Sequence, residues 1–199
     1  MGTPKTSLSY VPQAMPRKNI GSTSYLLAAD QNSLPLYFSL KSKHDYVLVN
    51  REKFVSAVRA EIEPVAKSYD VVVIPQSSAP FLRELTERLP NVIELRKRNK
   101  ADIIQRAQAT ANWGKLERRS QARCWEEMGD VFSINRVKSN QRKHYVPHLF
   151  EPILLNPDSS VLLLDDFIMS GNTIAACKAA MGIVDCDCFG VFYQAQFRP

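Results

Sequence analysis

A segment near the carboxyl end of the chain combines the side chains that are best suited to chemistry. It begins with an apolar run over 161–164 and continues with the adjacent acids Asp165 and Asp166. After three mostly apolar residues, it ends in Ser170-Gly171-Asn172-Thr173. The apolar run predicts a buried strand that ends at the two carboxylates, and the polar ending predicts a tight turn into a helix.

The polar ending of this segment has the features of an anion-binding site. Free backbone N–H groups and the helix dipole favour an anion at a helix N-terminus. The hydroxyls of Ser170 and Thr173 add donors, and Gly171 lets the backbone close around a phosphate. Two carboxylates nearby would bind sugar hydroxyls or an associated Mg²⁺. The predicted ligand therefore has a phosphate at one end and a diol close to it, as a 5-phosphoribosyl group does.

These residues resemble the phosphoribosyl pyrophosphate (PRPP) motif of type I phosphoribosyltransferases. That motif has four apolar residues, two acids, three mostly apolar residues, then Thr or Ser, Gly, any residue and Thr, so Ser170 is its one mild variation here. The resemblance covers about residues 50–194, and its specific part is 161–173. It implies an α/β, parallel-sheet, type I phosphoribosyltransferase-like fold. The implied activity is transfer of the 5-phosphoribosyl group from Mg-PRPP to a nitrogenous base, with release of pyrophosphate.

The resemblance also implies roles for individual residues. Asp165 and Asp166 would be catalytic, would hold the ribose hydroxyls and would hold Mg²⁺ indirectly, while Lys100 would be catalytic by stabilising pyrophosphate. The ribose and 5-phosphate would contact Asp165, Asp166, Ser170, Gly171, Asn172 and Thr173. Pyrophosphate would contact Gln76, Ser77, Ser78, Arg96, Lys97 and Lys100.

Two branches of the family share further features with the chain. Arg96-Lys97-Arg98-Asn99-Lys100 is similar to the segment that opens the mobile loop of orotate phosphoribosyltransferases. The residues Arg96, Arg98, Gln105 and Glu117-Arg118-Arg119 are similar to the ComF-like branch. The alternatives are therefore a non-catalytic PRPP or nucleotide sensor that regulates a nucleic acid or a partner, and a ComF-like accessory protein in DNA handling. The acceptor base and the oligomeric state, a homodimer included, stay open.

The remaining sequence predicts the elements that would position these residues. Apolar steps of three and four predict a helix after Asn50, which can act as its cap, and Pro64 inside the apolar stripe predicts a kink or an early stop. Strands are predicted at 71–75, 92–95 and 188–193, and helices after Pro80, at 113–128 and at 174–181. Strands that alternate with helices in this order are typical of a parallel α/β sheet.

The N-terminal quarter of the chain is predicted to be an addition to this core. Residues 1–20 are polar with several prolines and indicate a flexible arm. Residues 23–28, 36–40 and 46–49 have strand character, and turn residues between the first two indicate a hairpin. We expect one domain over 21–199, in which 21–49 form a hood for the acceptor and 97–150 a basic mobile excursion.

Charge is concentrated in one stretch of the sequence. The 199 residues include 26 Lys and Arg against 20 Asp and Glu, which gives a net charge of +6. Residues 96–143 contain 13 basic and 5 acidic residues, a local net of +8, so the rest of the chain carries −2. Such a stretch is either a solvated face or a surface that binds a polyanion, including a nucleic acid.

Composition excludes several other classes of protein. No apolar run approaches the ~20 residues of a membrane span, and the first 25 residues lack an apolar signal core, so we expect a cytoplasmic protein. The four cysteines form no C-x-x-C pair, which argues against a zinc site.

Pro147 between His144 and His148 favours packing or surface roles for both histidines over metal binding. Trp113 and Trp125 are interpreted as packing residues, with stacking on bases as the alternative.

Overall fold

The computed structural model describes residues 6–10, 15–29, 33–41, 46–77, 79–183 and 185–194. The chain divides into two compact units. The first consists of Met1–Glu94, Asn156–Gly171 and Cys186–Pro199, and the second of Leu95–Leu155 and Asn172–Asp185. The second unit therefore includes most of the stretch that the sequence analysis assigned to a mobile excursion.

A mostly parallel six-strand sheet forms the centre of the fold, with the strand order β2-β3-β8-β7-β5-β6. Strands β3, β8, β7 and β5 run parallel to one another, and β2 is antiparallel to β3. The strands are β2 (Lys18–Ile20), β3 (Thr23–Ala28), β5 (Val71–Pro75), β6 (Val92–Leu95), β7 (Val161–Ile168) and β8 (Asp187–Tyr193). Strands β1 (Thr6–Leu8) and β4 (Tyr46–Leu48) form a separate parallel pair. The predicted α/β class with a parallel sheet is confirmed.

Helix α2 (Arg51–Ala66) covers this sheet with an apolar stripe, as the sequence periodicity predicts. Its residues Phe54, Val58 and Ile62 are fully buried in the same core as the strand residues. The predicted cap is not made, because the side chain of Asn50 forms two hydrogen bonds to the backbone of Tyr10 instead, at 2.6 and 2.5 Å. Helix α3 (Phe81–Thr86) follows Pro80 as predicted and is also buried on one face.

The N-terminal region differs from its prediction. The 36–40 segment lies in helix α1 (Ser33–Leu40), not in a strand. Its tertiary contacts decide this, because Tyr37 packs on Phe167 and Phe192 and Leu40 is buried. The hairpin pairs β2 with β3 through Gly21, whose φ of +58° suits glycine. The turn expected at 30–33 falls largely on residues outside those described.

The expected flexible arm over 1–20 also contains ordered structure. Strands β1 and β2 lie within it, and Tyr10 and Met15 are buried in the core of the first unit. The ring of Tyr10 contacts that of Phe54 edge-on, with centroids 5.1 Å apart. The described part of this region is therefore held by the fold.

The second unit is helical. It contains helices α4 (Lys100–Thr110), α5 (Lys115–Glu127) and α6 (Asn172–Met181), and α5 is followed by 3₁₀ turns at Ile134–Arg136, Ser139–His144 and Val146–His148. The indole N–H of Trp125 donates to the Tyr145 hydroxyl at 2.8 Å, and that hydroxyl donates to Gln121 at 2.6 Å. Residues 97–150 thus have a core of their own, built from Ile103, Ala107, Trp113, Phe132, Val137 and Tyr145. None of the helices in the described parts of the chain is long and apolar enough to cross a membrane.

Candidate functional site

Strand β7 positions the two acids of the motif. We expected the strand to end at Leu164, but its pairing with β8 continues to Ile168, so Asp165 and Asp166 both lie within it. Only 5% and 6% of their surfaces are exposed. Asp165 lies opposite Gly190 on β8, where the absence of a side chain leaves room for Ile168. The carboxylates are therefore buried strand residues, not members of the turn.

The strand order gives these acids a particular position in the sheet. Strands β5 and β7 are adjacent and parallel, but the chain continues from β5 to β6 on one side and from β7 to β8 on the other. Open α/β sheets bind ligands outside the carboxyl ends of strands at such a reversal of strand order. Asp166 lies in the second half of β7, and Ser77 lies two residues after the end of β5.

A lysine that the sequence analysis missed reaches this position. The ammonium of Lys41 forms an ion pair with Oδ2 of Asp166 and donates to Oγ of Ser77 at 3.1 Å. The side chain of Lys41 is 16% exposed. Lys41 follows α1, and its contact with Asp166 spans 125 positions, so no local pattern could have indicated it.

Burial dominates the electrostatics of the acidic pair. It raises the pKa of Asp165 to about 8, and the neighbouring carboxylate of Asp166 adds to the rise, while the Lys41 ammonium opposes it. The backbone N–H of Asp166 donates to Oδ1 of Asp165 at 2.9 Å. Burial and the two carboxylates also raise the pKa of Tyr37 far above its usual range. A second full negative charge is thus costly here, and hydroxyl donors or a cation would stabilise it.

The turn after β7 contains the backbone geometry that the motif requires. Gly171 has a φ of +69°, in the left-handed region that glycine adopts without strain. Helix α6 begins at the next residue, Asn172, and Thr173 lies in its first turn. The predicted strand–turn–helix is therefore present, with Gly171 at its turn.

The basic segment predicted to bind pyrophosphate belongs to the second unit. There the ammonium of Lys97 donates to the carbonyl of Phe132 at 2.9 Å, and that of Lys100 donates to the carbonyl of Gly129. Both lysines thereby hold the segment between α5 and the first 3₁₀ turn. Arg96 is 76% exposed, with Nε 3.7 Å from Glu151. Of the predicted loop after β5, Gln76 and Ser77 are described, and Ser78 lies outside the described residues.

The aromatic and histidine residues of the second unit have packing roles. Trp113 is buried, and its ring centroid lies 5.9 Å from that of Trp125 and 5.8 Å from that of Tyr145, which confirms the packing interpretation. A ring nitrogen of His148 lies 3.2 Å from the Thr110 hydroxyl, and burial lowers the pKa of this histidine.

Among the described residues, no group of three or more His, Cys, Asp or Glu side chains could hold a metal ion. Mg²⁺ in phosphate sites is commonly held by one or two carboxylates together with the phosphates and water. The pair Asp165 and Asp166 fits that arrangement, in which the metal arrives with its ligand.

No protein-family model, curated protein or solved structure matches this chain.

Proposed function

We propose that the chain is a phosphoribosyltransferase-like protein of type I character. It binds Mg-PRPP and transfers the 5-phosphoribosyl group to a nitrogenous base with release of pyrophosphate. The observation that carries the proposal is the buried pair Asp165 and Asp166 at the strand-order reversal, followed five residues later by the left-handed Gly171 and the start of a helix. A diol-binding group and a phosphate-binding turn are thus joined by one short stretch of chain.

The acidic pair has the role of holding the ribose. Carboxylate oxygens accept hydrogen bonds from the 2- and 3-hydroxyls, and these donors relieve the repulsion between two buried carboxylates. As the bond from C1 to pyrophosphate breaks and the C1–N bond to the base forms, positive charge develops on the sugar. The carboxylates stabilise that charge, so catalysis is mostly charge placement.

The turn at 170–173 has the role of anchoring the 5-phosphate. Backbone N–H groups at the start of α6 and the hydroxyls of Ser170 and Thr173 are suited to phosphate oxygens. Gly171 permits this turn, because a residue with a side chain would be strained at a φ of +69°. Asn172 contributes its backbone N–H.

Pyrophosphate binding is assigned first to the loop after β5. Gln76 and Ser77 follow this strand, and the ammonium of Lys41 contacts both Ser77 and Asp166. Arg96 is more exposed than Lys97 and Lys100, the other two predicted basic contacts, and its guanidinium pairs with Glu151. Lys97 and Lys100, the latter predicted to be catalytic, could contribute only after leaving the carbonyls of Phe132 and Gly129. Mg²⁺ bound with PRPP would neutralise phosphate charge, held indirectly by Asp165 and Asp166.

The acceptor base is assigned to the N-terminal elements of the first unit. Helix α1 carries Tyr37, whose ring lies 4.7 Å from that of Phe167, the residue after the acidic pair. An element that reaches the acids from outside the parallel strands is suited to determine specificity, because additions to a conserved scaffold usually carry it.

A PRPP sensor without catalysis is the second candidate. It is favoured by the contacts of Lys97 and Lys100. The ammonium groups of both lysines were expected to stabilise leaving pyrophosphate, but they donate to backbone carbonyls instead. A third candidate, a ComF-like DNA-handling role of residues 96–143, rests on the net charge of that stretch and on its resemblance to the ComF-like branch.

Calorimetric titration with PRPP in the presence of Mg²⁺, followed by assay of pyrophosphate release with a panel of bases, separates these candidates. The proposal predicts binding and base-dependent release, both lost in the Asp165→Asn/Asp166→Asn variant. Binding without release for any base would favour the sensor. DNA binding that weakens steeply with salt and is indifferent to PRPP would favour the accessory role.

A further inference from the structure

Helix α1 positions Lys41 rigidly against the acidic pair. The backbone N–H of Lys41 donates to the carbonyls of Tyr37 and Phe38 at 3.3 and 3.2 Å, which continues the last turn of the helix. The ring of Tyr37 lies 4.7 Å from that of Phe167 and 5.4 Å from that of Phe192, on β7 and β8. The Lys41 ammonium lies 5.6 Å from the Tyr37 ring centroid. The packing of α1 through Tyr37 therefore directs the Lys41 side chain toward β7.

The ammonium of Lys41 contacts one oxygen atom of strand β7 and one of the loop after β5. It pairs with Asp166, whose side chain is 8% exposed, and donates to Ser77 at 3.1 Å. Oγ of Ser77 also accepts from the backbone N–H of Ala79 at 3.3 Å. The ammonium thus occupies the place that another cation bound by Oδ2 of Asp166 would take.

A divalent cation and the Lys41 ammonium compete for the same carboxylate. Displacement of the ammonium by a bare metal would leave a lysine charge with little solvent and no counter-ion, which is strongly unfavourable. Mg²⁺ also gives up its water reluctantly. A ligand that carries a diphosphate together with the metal removes the first penalty, because the released ammonium pairs with the diphosphate.

We propose that Lys41 is a specificity-determining residue of this site. In the ligand-free protein it is the internal counter-ion of Asp166 and excludes free divalent cations. It transfers to the anionic part of the ligand when a metal–diphosphate ligand binds. The identity of that ligand rests on the proposed function, whereas the exclusion of the free metal rests on the Lys41–Asp166 pair alone.

The test uses Mn²⁺ alone, with the free ion measured by electron paramagnetic resonance. Lys41→Gln keeps hydrogen-bonding groups at the position but removes the charge, and Lys41→Arg keeps the charge. Lys53→Gln removes a lysine charge from an exposed position on α2 and serves as the matched control. We expect Lys41→Gln to bind one Mn²⁺ at least tenfold more tightly than the unaltered protein, Lys41→Arg or Lys53→Gln. Asp166→Asn added to Lys41→Gln should abolish the gain.

Equal Mn²⁺ affinity in Lys41→Gln and the unaltered protein would overturn the proposal, as would a gain that survives Asp166→Asn. Acylation of lysines in the unaltered protein, followed by peptide mass spectrometry, supplies a measurement that needs no folded Lys41 variant. Lys41 should react at least tenfold more slowly than Lys53, and this protection should be lost in Asp166→Asn. Reaction of Lys41 as fast as Lys53 would also overturn the proposal.

The outcome for Lys41 is separable from that for the proposed function. Failure of PRPP to bind the unaltered protein refutes the proposed ligand but leaves the Mn²⁺ comparison intact. PRPP binding with the same Mn²⁺ affinity in all variants refutes only the role of Lys41.

Discussion

Lys41 and Asp166 form an ion pair that joins helix α1 to strand β7 across 125 positions of the sequence. Both side chains are largely buried, at 16% and 8% exposure. Because the same ammonium also contacts Ser77, one lysine connects α1 with the carboxyl-terminal sides of both β5 and β7. The stability of the first unit and the chemistry of its acidic pair therefore depend on the same contact.

Replacement of Lys41 by Met should destabilise the protein by about 3 kcal/mol, since it leaves a buried carboxylate without its partner. Asp166→Asn should be milder, and the double variant should lose less than the sum of the two. The measurement is a double-mutant cycle of urea unfolding, with an expected coupling of about 1–3 kcal/mol. Additive effects would show that the two side chains do not interact in solution.

Replacement of Asp165 by Asn should stabilise the fold while it abolishes PRPP binding. Burial raises the pKa of Asp165 to about 8, so at pH 7.5 the carboxyl mostly keeps its proton in the folded protein and loses it on unfolding. The neutral amide avoids this cost and keeps the shape of the side chain. We expect the unfolding midpoint at pH 7.5 to rise by about 5 °C, which corresponds to about 2 kcal/mol for a chain of this size. Thermal unfolding and PRPP titration on the same samples test both parts. The exposed Asp158→Asn is the matched control and should change neither.

An added methyl group at Gly190 should weaken the pairing of β7 with β8. A Cβ there would lie 2.7 Å from Cδ1 and 2.9 Å from Cγ1 of the buried Ile168. Gly190→Ala should therefore cost about 1–3 kcal/mol of unfolding free energy, as overpacked cores do. The double variant Gly190→Ala/Ile168→Val should recover part of the loss. No recovery would place the strain elsewhere than at Ile168.

Asp70 should make stability fall in acid. Hydrogen bonds from the backbone N–H and then the hydroxyl of Ser160, both 2.8 Å, hold the pKa of Asp70 below its usual value. Between the lowered folded pKa and the unfolded value, the unfolded chain binds more protons, so stability rises with pH. The contribution is fully present above the unfolded pKa of about 3.9 and is lost as pH falls through the folded pKa.

The measurement for Asp70 is the unfolding midpoint between pH 2.5 and 6. Asp70→Asn should show a shallower fall towards low pH than the unaltered protein, while Asp158→Asn should retain the full slope. Parallel curves for the unaltered protein and Asp70→Asn would contradict the role of Ser160 as the cause of the lowered pKa.

Two residues of the basic segment should have different roles: Lys97 should stabilise the fold, and Arg96 should bind the ligand. Lys97→Met removes the hydrogen bond to the carbonyl of Phe132 and should lower stability by about 1–2 kcal/mol. Arg96→Met alters an exposed side chain and should leave stability within about 0.5 kcal/mol while it weakens PRPP binding. Urea unfolding and calorimetry on both variants test this. Unchanged PRPP affinity in Arg96→Met would remove Arg96 from the pyrophosphate site.

The parallel sheet and the strand–turn–helix of the motif were predictable because local patterns specify them. The β-branched run of β5 and the apolar run of β7 are continuous, as strands buried on both faces are. Helix α1 was not predictable in this way, since its short apolar run fits a strand or a helix equally and its tertiary contacts decide. The extension of β7 through Asp165 and Asp166 depends on pairing with β8, which the sequence alone does not show.

The partners of the basic residues were also beyond sequence reasoning. Net charge over 96–143 predicts an anion-binding surface, but it does not show which side chains are engaged within the protein. Lys97 and Lys100 contact carbonyls that lie 35 and 29 positions away. Lys41, outside the basic stretch, contacts the acidic pair instead.

A crystal structure of the protein grown with PRPP and Mg²⁺ tests the central claim most directly. The account predicts ribose hydroxyls on the carboxylates of Asp165 and Asp166, and the 5-phosphate on the backbone of residues 170–173. A ligand bound elsewhere on the protein, or an acidic pair left without sugar at saturating PRPP, would contradict it.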